Sequence, residues 1–153
     1  MEQKQYKIEI KASIEKVFDY MLGLSSKKTY EQWTSVFNPA STFEGSWEKG
    51  SGILFIGTNE NGNREGMISR IIKNIPNQLV SVQHYGILEG EKEILEGTQV
   101  DQWAGGMENY SFEKNGNKTI VTVEVDVTGE FSEHFDSTYP KALQKLKEIV
   151  EAE

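Results

Sequence analysis

The sequence predicts an α+β domain: a curved antiparallel sheet of about seven strands around a long C-terminal helix, with two short helices after the first strand. Three observations predict it. The middle of the chain is a series of apolar–polar segments separated by Gly, Asn and Pro, the pattern of strands joined by hairpins. The last segment, Thr119 to Val127, runs almost directly into an amphipathic stretch with Phe135, Tyr139, Ala142, Leu143, Leu146, Ile149 and Val150 at helical spacing. Strands joined by short turns must be antiparallel, so the helices can bury their stripes only on one face of the sheet.

The elements follow in order. Tyr6 to Lys11 alternates apolar and charged residues and reads as a half-buried strand. Ser13 is a good helix N-cap, with Ile14, Val17, Phe18, Met21 and Leu22 behind it and Gly23 closing the helix. A second short helix is expected from Lys27 to about Val36, stopped by Pro39. Strands are expected at Thr42–Trp47, Gly52–Ile56, Glu65–Ile72 and Leu79–Tyr85, with an Asn-Gly hairpin at Asn61-Gly62 and a turn at Pro76-Asn77. Residues 86–106 are acidic and glycine-containing, and read as irregular with one helical turn near Gln99 to Trp103. Met107–Lys114 and Lys118–Thr128 form the last hairpin around Asn115-Gly116-Asn117. The closing helix spans Ser132 to Val150, and Pro140 should kink it or start a new first turn.

Composition narrows the function classes. The chain has 153 residues, 37% hydrophobic and 26% charged, which suits one globular domain. Its net charge of −8, without a Lys/Arg run, argues against nucleic acid and anionic membranes as partners. There is no cysteine, so thiolate metal sites and Cys nucleophiles are excluded. The two histidines, His84 and His134, are far apart, and no metal site is expected. No G-x-S-x-G elbow or phosphate-cradling loop occurs. The first residues lack the apolar run of a signal peptide and no stretch is long enough to span a membrane, so a cytoplasmic location is expected.

Several local words carry a resemblance. Glu31-Gln32-Trp33-Thr34, Phe37-Asn38-Pro39, Phe43-Glu44-Gly45-Ser46-Trp47, Gly66-Met67-Ile68-Ser69-Arg70-Ile71, Glu108-Asn109-Tyr110-Ser111-Phe112 and Tyr139-Pro140-Lys141-Ala142-Leu143 resemble the SRPBCC branch named after the activator of heat shock protein 90 ATPase. The element order is similar to the helix-grip fold of that superfamily, which includes START domains and the birch allergen. The resemblance covers nearly the whole chain. It implies a hydrophobic pocket between sheet and C-terminal helix for a lipid-like or polycyclic molecule. It names no reaction and no cofactor.

Period-two alternation assigns faces. Val121, Val123, Val125 and Val127 point inward, as do Tyr110 and Phe112, with Glu108 on their face. Val80 and Val82 point inward and His84 shares their side, whereas Arg70 is an outer residue and His134 is exposed. A carboxylate on an apolar face must be hydrogen-bonded, and an imidazole beside it could orient a ligand or exchange protons. The alternative is that both lie at the sheet rim and reach solvent. Trp33, Phe37, Phe43, Trp47 and Trp103 form an aromatic set that reads as pocket lining or as core.

The leading expectation is a module that binds a small apolar ligand. Val80, Val82, Tyr110, Phe112, Val123, Tyr139 and Leu143 would line its pocket, Trp33 and Phe37 its mouth, and His84 and Glu108 would make polar contacts. Residues 86–106 would be the gate. The alternatives are a cyclase or aromatase using His84 and Glu108, and a co-chaperone or stress-response domain with a chaperone, or a second copy of the chain, as partner.

Overall fold

The structure is a computed structural model and describes residues 1–152. Strand β1 (Glu2–Ile10) is followed by helices α1 (Ile14–Leu22) and α2 (Lys27–Thr34). Strands β2 (Thr42–Gly45), β3 (Gly52–Thr58), β4 (Arg64–Ile75), β5 (Leu79–Glu89) and β6 (Lys92–Ile94) follow, then the one-turn helix α3 (Thr98–Asp101). Strands β7 (Met107–Asn115) and β8 (Lys118–Val127) lead through a 3-10 turn, Gly129–Phe131, into helix α4 (Ser132–Glu151). The sheet is antiparallel, in the order β1-β8-β7-β5-β4-β3-β2, with β6 paired to β5. This is the expected α+β helix-grip-like architecture, with one short strand more than the pattern predicts.

Local chemistry sets the helix ends. Ser13 Oγ accepts from the Lys16 amide at 3.3 Å, and Gly23 closes α1 at φ 66°, where a side chain would be strained. Pro140 does not start a new turn: α4 runs through it from Ser132 to Glu151. The missing N–H costs one intrahelical bond, and the tertiary packing of Tyr139, Ala142 and Leu143 on either side outweighs it.

The irregular stretch is more ordered than its composition suggests. Strand β5 continues to Glu89 because a β-bulge sits where Ile68 faces Gly86 but Ser69 faces His84, leaving Tyr85 as the extra residue. The bulge shifts the alternation by one. Val80, Val82 and His84 face the helices before it, and Ile87 faces them after it, opposite Met67. On the convex side Ile56, Ile68 and Leu88 form a small cluster with Leu54 and Tyr85. Arg70 lies over the Tyr85 ring there, 5.4 Å from its centroid.

The main core lies between the concave face and the helices, and it fills only one end of that space. The C-terminal half of α4 (Ala142, Leu143, Leu146, Val150) packs with Val17, Phe18, Met21 and Leu22 of α1 and with Val80, Val82, Phe112, Val121 and Val123 of the sheet. The N-terminal half of α4 stands over open space. Among the described residues no helix is long and apolar enough to cross a membrane.

Candidate functional site

The open space is a pocket of about 530 Å³ between the far ends of β5, β7 and β8, helix α2 and the first turns of α4. Its wall is aromatic: Tyr30, Trp33 and Phe37 come from or follow α2, Phe55 from β3, Tyr110 from β7, and Phe135 and Tyr139 from α4. Phe37 meets Tyr139 edge-on at 5.0 Å between ring centroids, and Tyr6 stacks on the same tyrosine at 5.1 Å and 13°. Such contacts fix ring orientation as well as burying area.

A polar network crosses the floor. Strands β5 and β7 pair with Val82 opposite Glu108, which brings His84 diagonally next to Glu108. His84 Nε2 and Glu108 Oε1 are 2.9 Å apart, and His84 Nδ1 lies 2.6 Å from Ser69 Oγ. The Tyr139 hydroxyl donates to Glu108 Oε2. A carboxylate only accepts, so with neutral imidazole the proton sits on Nε2, and Ser69 donates to Nδ1. The Glu108 side chain is 17% exposed and that of His84 11%, so both are held inside yet reach the pocket surface.

The surrounding hydroxyls are shifted accordingly. Burial pushes the Tyr139 and Tyr110 hydroxyls well above the ordinary tyrosine value, and the neighbouring Glu108 charge adds to this. Tyr30 is pushed up by burial, then by the same carboxylate. The three tyrosines therefore stay protonated, as hydrogen-bond donors, across the physiological range. With Nε2 donating to Glu108 and Nδ1 accepting from the buried Ser69 hydroxyl, both ring nitrogens are engaged: the imidazole holds the carboxylate in place, and passing a proton to a molecule above it requires one of these contacts to open.

The sequence-derived residues divide into two groups. Trp33, Phe37, His84, Glu108, Tyr110 and Tyr139 line the pocket. Val80, Val82, Phe112, Val123 and Leu143 do not; they are 0–6% exposed and belong to the filled end of the core. The division has a simple cause: alternation reports which face a residue is on, and not how far along the strand the helix packs. Of the aromatic set, Trp103 also lines the pocket, whereas Phe43 and Trp47 are core. His134 is exposed and stands on the pocket's edge. Part of the 86–106 stretch, Ile87–Glu89, Trp103 and Gly106, borders the opening.

Other contributors were not singled out from sequence. Ser69 carries no sequence signal of its own, yet its hydroxyl meets His84 Nδ1. Ile87 reaches the wall through the bulge, which no turn residue announces, and Met67 by plain alternation with Ser69. Phe55 sits beside His84, ring centroids 6.0 Å apart, and its strand pattern alone could have suggested it.

No protein-family model and no curated protein matches the sequence. Solved structures do resemble the fold. The solution structure of an Aha1 dimer from Colwellia psychrerythraea aligns with a TM-score of 0.66 at 24% identity, covering 98% of this chain and 96% of that one. A protein from Arthrobacter aurescens aligns with a TM-score of 0.73 at 12% identity, over 99% and 87%. An uncharacterised protein from Rhizobium leguminosarum aligns with a TM-score of 0.66 at 17% identity, over 99% and 97%. At these identities the likeness is one of fold: a helix-grip-like α+β domain along the full chain.

Proposed function

We propose that this chain binds a small, mainly apolar molecule between the α4 helix and the sheet, and that the Ser69–His84–Glu108–Tyr139 network orients a polar group on it. The observation that carries this reading is a pocket of about 530 Å³ whose wall is aromatic and whose floor is polar. Small-molecule sites usually occupy about 300–1,000 Å³ and combine an apolar lining with a few fixed polar groups. Burial at about 25 cal/mol per Å² of apolar surface would drive capture. The same reading makes the chain a member of the SRPBCC superfamily, supported by the sequence words quoted above and the Aha1-like fold.

Native mass spectrometry of the purified protein tests this directly. A small-molecule adduct is expected on the wild type and not on Ile87→Trp, which places an indole where the wall now has a shorter side chain. No adduct, and no binding by any apolar probe, would reject the reading.

The 2.9 Å contact between His84 and Glu108 favours a second reading. In a cyclase or aromatase the pair would move protons on a bound polyketide-like substrate. His84→Ala would then abolish turnover while ligand still binds. A co-chaperone role, with a chaperone or a second copy of this chain as partner, draws on the Aha1 dimer neighbour alone; a chaperone pull-down and light scattering test it.

A further inference from the structure

The floor of the pocket has hydrogen-bonding capacity that the protein leaves unused. A carboxylate accepts at about four lone-pair sites and donates at none. Glu108 receives two donors, His84 Nε2 at 2.9 Å and the Tyr139 hydroxyl, and among the described residues no third donor reaches it. Its side chain stays 17% exposed and lines the pocket, so the remaining lone pairs face that space. Nearby donors are mostly spent. Trp33 Nε1 donates to the Met21 carbonyl at 2.9 Å, Thr34 Oγ1 to the Tyr30 carbonyl at 2.6 Å, and Ser69 to His84. Tyr110 is the exception. It shares the inward face of β7 with Glu108, two residues away, and lines the same pocket. The neighbouring Tyr139 hydroxyl already gives its proton to Glu108, so the Tyr110 proton is available to an oxygen that enters. The floor therefore offers an acceptor and a donor side by side.

We infer that the pocket's ligand is a neutral alcohol or phenol, whose hydroxyl donates to Glu108 and accepts from Tyr110 while its apolar body lies against the aromatic wall. The inference rests on the small-molecule reading above and adds the hydrogen-bonding class of the polar group. A ketone or ether can use only Tyr110, and its oxygen would face the lone pairs of a carboxylate. An anionic ligand would bring a second negative charge to Glu108. An ammonium can use only Glu108, and an ion pair repays the burial of its charge only in part. A hydroxyl donates and accepts at once and has no charge to desolvate.

Four probes on one aromatic body separate the alternatives: 2-naphthylmethanol, its methyl ether, 2-naphthylmethylamine and 2-methylnaphthalene. Equilibrium dialysis measures each, corrected for its water-to-octanol partition. The alcohol is expected to bind about tenfold more tightly than the ether, and more tightly than the amine. Glu108→Gln, whose amide puts a donor where the carboxylate only accepts, should reduce the alcohol-to-ether ratio about tenfold. Tyr110→Phe should weaken the alcohol about fivefold. The hydrocarbon uses no polar contact, so its unchanged binding to both variants reports an intact pocket. If Glu108→Gln loses the hydrocarbon too, its pocket has collapsed and Tyr110→Phe decides. Equal binding of alcohol and ether, tightest binding of the amine, or a ratio that survives Glu108→Gln overturns the hydroxyl site while leaving the pocket reading intact. If none of the four binds, the pocket reading falls and the inference falls with it.

Discussion

His84 and Glu108 sit on neighbouring strands with Nε2 and Oε1 2.9 Å apart, and the carboxylate also accepts from Tyr139 of α4. One side chain thus ties β5, β7 and the helix together at the floor of the pocket. Removing it leaves two buried donors without an acceptor, at about 1–3 kcal/mol each. Glu108→Leu should therefore lower the unfolding free energy by about 3 kcal/mol, and Glu108→Gln, which keeps one acceptor, by about 1 kcal/mol. Urea denaturation followed by far-UV circular dichroism measures both. Equal stability of Glu108→Leu and wild type would mean that the network is not formed in solution.

The buried tyrosines predict behaviour at high pH. Tyr110 and Tyr139 have folded-state values raised by burial and then by the Glu108 charge, whereas the unfolded chain returns them to about 10. Above that pH the unfolded state loses protons that the folded state keeps, so each tyrosine removes about 1.4 kcal/mol of stability per pH unit. Their stabilisation is complete below pH ~10 and lost as pH rises beyond it. Phenolate absorbance of these residues should appear only with unfolding. The Tyr110→Phe/Tyr139→Phe variant should show a shallower loss of stability above the same pH.

Much of this arrangement was legible in the sequence. The strand series, the two Asn-Gly hairpins and the amphipathic tail follow from periodicity and turn chemistry, and these are local properties. The shared face of Val82, His84, Glu108 and Tyr110 follows from alternation. Depth along the strand does not. Val123 and Val125 are equivalent by pattern and both are buried in the core, yet only Val125 also borders the pocket. What separates them is where α4 approaches the sheet, a property of the whole fold. The β5 bulge was also hidden, because an extra residue at Tyr85 has no signature of its own. Ile87 and Glu89 consequently read as loop when they are pocket wall and rim.

The start of α4 is held by a clip to the first strand. The Tyr6 hydroxyl donates to Asp136 Oδ1 at 2.8 Å, and Lys4 Nζ to Oδ2 at 3.1 Å. Tyr6 first, then Lys4, hold the Asp136 carboxyl below the usual carboxylate range. A carboxyl lowered in this way stabilises the clip above its unfolded value, and the effect is lost as pH falls through the folded value. Asp136→Asn should speed amide exchange severalfold across residues 129–136 at neutral pH. Wild-type exchange there should rise on acidification, once corrected for intrinsic rates, and the variant's should not. Unchanged exchange in the variant would show that the clip does not restrain the helix.

Glycine at position 66 is required by space rather than by its dihedral angles. It pairs with Ile56 at the edge of the pocket, and a β-carbon there would lie 2.0 Å from the Phe55 carbonyl oxygen. That atom is backbone and cannot swing away, so β3 and β4 would have to part. Parting them would also move Phe55 and Met67, which face each other across the same two strands and line the pocket. Gly66→Ala should therefore cost about 2–4 kcal/mol, well above an ordinary surface substitution. Gly62→Ala is the informative comparison: its β-carbon meets nothing within 4 Å, and its φ of 79° alone should cost about 1 kcal/mol. If thermal unfolding ranks the two variants the other way round, the close approach of these strands is not as described. If Gly66→Ala also weakens binding of an apolar probe while the Gly62 variant does not, the β3–β4 spacing sets the pocket width as well as the stability of the sheet.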